Sequence, residues 1–110
     1  MKQKNSSKSL VILGNNVAGL NGKFDSLLNL IESLNGGICM LQETKIYREG
    51  KFQIQDFVIF EKLRNHGCGG GLMTAAHVNL HPVLVDDEEE SRDFIIVDVS
   101  INNVKIRTIN

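Results

Sequence analysis

Residues 10–45 read LVILGNNVAGLNGKFDSLLNLIESLNGGICMLQETK, and they carry the clearest indication of the fold class. It opens with the apolar run 10–13, which is too short for an amphipathic helix and predicts a strand buried on both faces. The apolar run 38–41 predicts a second strand. A helix lies between the two runs, so the stretch predicts a βαβ unit whose strands are parallel.

The helix is indicated by apolar residues that recur at the α-helical period. The stripe comprises Phe24, Leu27, Leu28, Ile31 and Leu34, and the residues expected to face outward are Asp25, Asn29 and Glu32. The run NGG at 35–37 supplies residues that can take the left-handed conformation in which helices commonly end. The helix is therefore predicted to end close to residue 34.

The remainder of the chain predicts an antiparallel series of short strands with turn residues between them. The candidate strands are 57–60, 71–75, 83–85, 94–99 and 104–109. Asn102 and Asn103 tolerate positive φ and predict a tight two-residue hairpin turn between the last two strands. The fold class is therefore α/β, one βαβ unit followed by antiparallel strands.

Composition limits the kind of protein this can be. The 110 residues are 42% hydrophobic, which allows one domain over residues 10–110 after a flexible basic tail over 1–9. The net charge of −1 gives no general attraction to nucleic acid. No apolar run could cross a bilayer, so we expect a soluble intracellular protein, nuclear or cytoplasmic, with no membrane partner. Cys39 is expected to be a buried, reduced thiol that forms no disulfide with Cys68.

Asn16 and Glu43 each follow one of the two parallel strands. Ligands of α/β sheets bind outside the carboxyl ends of parallel strands, so these residues are expected to be neighbours there. Carboxylate and amide oxygens suit Mg²⁺, which takes few protein carboxylates together with a substrate phosphate. The pattern indicates a divalent-metal phosphodiesterase site. The alternative is structural: Asn16 as a turn residue and Glu43 as a solvated strand end.

The motif NVAGL at 16–20 stands one helix before LQETK at 41–45. These motifs resemble the first-strand and metal-binding Glu motifs of the endonuclease/exonuclease/phosphatase superfamily, and most closely the endonuclease domains of LINE-type retroelements. The order of elements is similar as well, up to RTIN at 107–110. The resemblance implies the deoxyribonuclease-I-like fold, Mg²⁺ or Mn²⁺ as cofactor, Glu43 as metal ligand, and Asn16 as a residue that helps hold the metal-bound phosphate.

The resemblance covers only the N-terminal half of that four-layered α/β sandwich. In the family, the strand matching residues 106–110 leads to a Tyr or His, then an Asp-x-Asn motif and an Asp-His pair, and none of these follows here. The resemblance therefore implies part of a Mg²⁺-dependent endonuclease that acts on DNA as an intact domain. We expect the chain to be inactive by itself.

Two other readings stay open. The chain could be a non-catalytic interaction module, in which a bare inner sheet face and the last strand, 104–109, mediate self-association or bind a protein partner. It could also be a fragment without independent function.

Other motifs carry weaker signals. The glycines at 67–71 lack a following Lys-Ser or Lys-Thr, so they predict a bulge or a close backbone approach rather than a phosphate loop. His77 and His81 would face together only on a helix, which argues against a metal site shared with His66 and Cys68. The acidic run 86–90 is typical of a solvated loop.

Overall fold

The structure is a computed structural model that describes residues 10–33, 36–46, 50, 52–63, 70–85 and 94–110. The described helical segments are α1 (Phe24–Ser33) and a 3₁₀ turn at Val78–Leu80. The described strands are β1 (Ile12–Asn16), β2 (Ile38–Gln42), β3 (Phe57–Lys62), β4 (Leu72–His77), β5 (Val83–Leu84), β6 (Ile96–Ile101) and β7 (Val104–Ile109). Every predicted strand is present; 104–109 has its predicted bounds, and each of the others has at least one end shifted by one to three residues.

The strands form two sheets. The first has the order β1-β2-β4-β3 and the second the order β5-β6-β7. The predicted βαβ unit is confirmed, because β1 pairs with β2 in parallel from Ile12↔Ile38 to Asn16↔Gln42. The other pairings are antiparallel, as predicted. The turn at Asn102 and Asn103 is also confirmed, and both residues have positive φ, at 51° and 66°.

Helix α1 covers one face of the four-stranded sheet. Leu27 and Ile31 are buried there, while Asp25, Asn29 and Glu32 face outward as predicted. Burial of such a side chain contributes about 1.5–3 kcal/mol, which explains why the apolar stripe fixes the helix against the sheet. Gly36 has φ +94°, the left-handed conformation expected just beyond the helix.

The second sheet covers the opposite face. Residues from both sheets share one apolar cluster that includes Ile38, Ala76, Val97 and Val99. The layers are therefore helix, four-stranded sheet and three-stranded sheet. The expectation of a bare inner face is wrong, since β5, β6 and β7 of the same chain occupy it.

Strand β1 differs from its prediction. Within the described residues it pairs only with β2, and four of its five residues are exposed, including Ile12 at 48%. An uninterrupted apolar run was expected to be buried on both faces, but an edge strand leaves part of its surface open to solvent. β1 is therefore an edge strand that exposes apolar side chains to solvent.

Cys39 is a free thiol, and burial raises its pKa to about 11. Neither described helical segment is long and apolar enough to cross a bilayer. The predictions for the tail 1–9, Leu34, Asn35, His66, Cys68 and the acidic run 86–90 lie outside the described residues.

Candidate active site

The candidate site lies at the carboxyl edge, defined here as the edge of the four-stranded sheet where β1 and β2 end, at Asn16 and Gln42. Backbone pairing continues past both ends, because Val17 N donates to Gln42 O at 3.0 Å and Gly19 N to Glu43 O at 2.7 Å. The segments that carry Asn16 and Glu43 are therefore adjacent. The neighbourhood predicted from the parallel strands is present.

Glu43 is half-buried and is positioned by the chain that leads into β4. Its Oε2 accepts a hydrogen bond from Gly70 N at 2.6 Å. Glu43 and Lys45 both have positive φ, at 57° and 56°, which is uncommon for residues other than glycine. Backbone strain of this kind costs about 1–3 kcal/mol and persists where surrounding contacts hold it in place. The surroundings thus hold the carboxylate at this edge.

Gly71 explains how the segment that carries Glu43 and the segment that leads into β4 approach so closely. Thr44 N donates to Gly71 O at 3.2 Å, and Lys45 N donates to Gly70 O at 2.9 Å. A Cβ at Gly71 would lie 2.5 Å from Thr44 Oγ1, and Gly71 has φ +95°. The predicted role of these glycines, a close backbone approach, is confirmed at Gly71.

Asn16 is exposed, and its Oδ1 accepts a hydrogen bond from Ala18 N at 3.2 Å. A side-chain oxygen has two lone pairs, so Oδ1 keeps one for a further partner. A cation lies close by, because Lys23 Nζ donates to Val17 O. The edge therefore presents a carboxylate, an amide and an ammonium group.

A polar network next to Glu43 was not predicted from the sequence. Gln42 Nε2 donates to Asn110 Oδ1 at 2.6 Å. Asn110 Nδ2 in turn donates to Met73 O at 2.8 Å and to the buried Thr74 Oγ1 at 3.2 Å. Gln42 lies in the motif at 41–45, but its partner, Asn110, is 68 residues away in the sequence and is identified only by the structure. The network holds the end of β7 against β2 and β4, directly beside the candidate site.

The oxygen donors at this edge are of the kind that Mg²⁺ prefers. One carboxylate and one amide suit an ion that keeps several waters and binds substrate phosphate. No group of three or more His, Cys, Asp or Glu that could hold a metal ion lies within the described residues. The donor chemistry thus fits a site with few protein ligands and does not fit a closed structural metal site.

The two histidines do not belong to this edge. His77 ends β4, and its N donates to Gly37 O at the opposite end of the sheet, while His81 follows the 3₁₀ turn. A metal site shared with His66 and Cys68 is not tested, because both lie outside the described residues.

Comparison of the sequence with protein families and with curated proteins finds no match. Among solved structures, the AP endonuclease of Leishmania major covers 90% of this chain at 16% identity, with a TM-score of 0.69. An AP endonuclease from Archaeoglobus fulgidus covers 90% at 17% identity, with a TM-score of 0.61. The chain spans 38% of the first protein's length and 40% of the second's. The chain therefore shares the mixed α/β fold of these two AP endonucleases, which is the deoxyribonuclease-I-like fold expected from the sequence.

Proposed function

We propose that this chain carries part of the active site of a Mg²⁺-dependent endonuclease that cleaves DNA. The observation that carries the proposal is Glu43, held at the carboxyl edge by Gly70 N in a fold that matches two AP endonucleases over 90% of the chain. The LINE-type endonuclease domains are the relatives we propose, from the motifs at 16–20 and 41–45.

Each residue has a separate role in this proposal. Glu43 offers its carboxylate as the protein ligand of the metal, with Gly70 N fixing its orientation. Asn16 hydrogen-bonds the phosphate or a metal-bound water through its amide. When bound, Mg²⁺ would polarise a phosphoryl oxygen and offset the negative charge that develops in the transition state. Mn²⁺ has the same ligand preference and serves as a substitute.

Among the site residues described above, Glu43 is the only carboxylate, and no second carboxylate or imidazole is placed to act as a base for the attacking water. Loss of a positioned general acid or base costs about 10²–10⁴-fold in rate. We therefore expect these residues to bind the metal and to give little or no cleavage by themselves. We propose that the complete activity needs a larger domain, and the chain's span of 38–40% of the neighbours' length supports this.

Metal binding is tested separately from cleavage. Titration of the ¹⁵N-labelled chain with Mn²⁺ should broaden the amide signals of residues 16–19, 43–45 and 70–71. Glu43→Gln should abolish the local broadening. Glu32→Gln, which changes an exposed carboxylate on α1, should not. Broadening that ignores Glu43, or that is greatest elsewhere, would overturn the assignment of the metal site.

Cleavage is tested on supercoiled plasmid, with Mg²⁺ or with chelator, using the parent and Glu43→Ala. No nicking above background is the expected result. Nicking that requires both Mg²⁺ and Glu43 would show that the chain rebuilds a working site, for example as a dimer. Inactivity of the chain by itself would then be wrong, while the metal role of Glu43 would be supported.

A second candidate is an interaction module that self-associates or binds a protein partner. It is favoured by exposed apolar residues on the edge strands, because association would remove apolar surface from water and pair the free strand edge. The exposed side chains are Ile12 on β1, Val83 and Leu84 on β5, and Val104 and Ile109 on β7. This candidate predicts binding without catalysis, so its test is whether the chain self-associates in solution.

A further inference from the structure

A cleft of about 880 Å³ opens at the end of the fold away from the carboxyl edge. It lies beside the 3₁₀ turn and the β6–β7 hairpin, and we refer to it as the histidine cleft. Its polar lining includes His77, Asn79, His81, Asn102, Asn103 and Lys105. Tertiary structure thus brings together two histidines that the sequence did not place on one surface.

The lining is selective in charge. Among the described residues it combines one ammonium group, two imidazoles and three amide side chains with no carboxylate. The chain as a whole has 13 acidic residues and 12 lysines and arginines, so this composition is local. Ammonium, imidazole and amide groups can all donate hydrogen bonds, and such donors pair well with anionic oxygens. The cleft is therefore suited to an anion.

The ring of His77 is held in place before any ligand binds. Its Nδ1 accepts a hydrogen bond from Asn79 N at 3.2 Å, which leaves Nε2 as the ring nitrogen that can donate. The ring also packs edge-on against Phe57, with centroids 5.2 Å apart. Gly36 lies against the same ring, since a Cβ at this position would be in ordinary contact with it at 3.5 Å. Binding to a fixed donor costs less side-chain entropy than binding to a mobile one.

A metal ion is a poorer occupant. Histidine metal sites need three or four ligands, and no group of three such ligands lies within the described residues. The volume falls within the range of small-molecule sites, about 300–1,000 Å³. Leu80 and Ile101 add apolar wall. The cleft thus has room for an organic group beside the anion.

We propose that the histidine cleft binds the phosphate group of a small organic phosphate. Lys105 supplies the charge. His77 and the amides supply oriented donors, and the apolar wall accommodates the organic part. This site is separate from Glu43, so the test of this proposal does not depend on the proposed nuclease function.

The test is a titration of the ¹⁵N-labelled chain with ADP, with inorganic phosphate and with adenosine, followed by NMR at constant ionic strength. ADP and phosphate should give saturable shifts in residues 77–81 and 100–105, with ADP binding more tightly. Adenosine should not. The absence of saturation by about 10 mM ADP, which corresponds to less than about 3 kcal/mol of binding, would overturn the proposal. Equal binding of adenosine and ADP would overturn it as well.

Variants identify the residue that supplies the charge. Lys105→Ala should weaken ADP binding about ten-fold, the effect of losing one charge-assisted hydrogen bond, and Lys105→Arg should restore most of it. Lys62→Ala, on β3 and outside the cleft lining, is the matched control and should bind as the parent does. Equilibrium dialysis with labelled ADP gives the same comparison independently of NMR. Unchanged affinity in Lys105→Ala would contradict the proposal.

Discussion

At the residue scale, Gly71 limits how the candidate site can vary. A methyl group there would lie 2.5 Å from Thr44 Oγ1 and 3.1 Å from Lys45 N, at a position with φ +95°. Both effects act on the segment that carries Glu43. The identity of one small residue thus controls the geometry of a charged one 28 positions away in sequence.

Gly71→Ala is expected to lower the free energy of unfolding by about 2–4 kcal/mol, from left-handed strain and overpacking together. Gly22→Ala is the matched control, because Gly22 has φ +81° with nothing within 4 Å of a Cβ, so it should cost only the strain, about 1–2 kcal/mol. Urea unfolding measures both changes. Equal losses of unfolding free energy in the two variants would show that a Cβ at Gly71 does not collide with Thr44.

At the scale of elements, β6 and β7 are joined on their outer face by an ion pair. Arg107 Nε donates to Asp98 Oδ1 at 2.8 Å and Arg107 Nη2 to Oδ2 at 3.0 Å. The hydrogen bond from Arg107 lowers the pKa of Asp98 below its ordinary value of 3.8. The stabilisation is therefore fully present above that value and is lost as the pH falls through the folded-state pKa.

In Asp98→Asn, the free energy of unfolding should fall less between pH 5 and pH 2 than it does in the parent. Arg107→Gln should flatten the same interval, because either change removes the pair. The free energy of unfolding, measured with urea at several pH values, checks this. A parent-like slope in both variants would show that the pair does not contribute to the acid sensitivity.

Asn110 connects elements rather than neighbours in sequence. Its side chain joins the end of β7 to Gln42 on β2 and to Met73 and Thr74 on β4. Asn110→Ala should lower the free energy of unfolding by about 1–3 kcal/mol, since partly buried partners lose their hydrogen bonds. Asn29→Ala, on the exposed face of α1, should change it by less than about 0.5 kcal/mol. Similar effects at the two positions would contradict a linking role for Asn110.

At the scale of the whole molecule, the apolar surface that remains exposed is concentrated on the edge strands. Val104 is 56% exposed and Ile109 is 63% exposed, both on β7. The inner face of the four-stranded sheet, by contrast, is covered within the chain. Any association is therefore expected to use edges, not the sheet face.

We expect the chain to self-associate at tens of micromolar when measured by light scattering. Val104→Lys with Ile109→Lys should shift it towards monomer, because edge lysines oppose strand pairing. Lysine at the exposed helix residues Asn29 and Ser33 is the control and should leave association unchanged. A monodisperse parent monomer would count against the interaction module.

The elements that rest on local pattern could be predicted from the sequence. The period of Leu27 and Ile31 predicted α1, and the order of apolar runs predicted the parallel pair and placed Asn16 beside Glu43. These features follow from side-chain periodicity and strand direction, which short segments express without their surroundings.

The features that depend on distant partners became visible in the folded chain. The sequence could not show that β1 lies at an edge, that the second sheet covers the first, or that Asn110 reaches Gln42 across 68 residues. It also could not show that His77 and His81 line one cleft. The physical reason is that burial, sheet order and side-chain pairing are properties of contacts between elements, which local pattern leaves open.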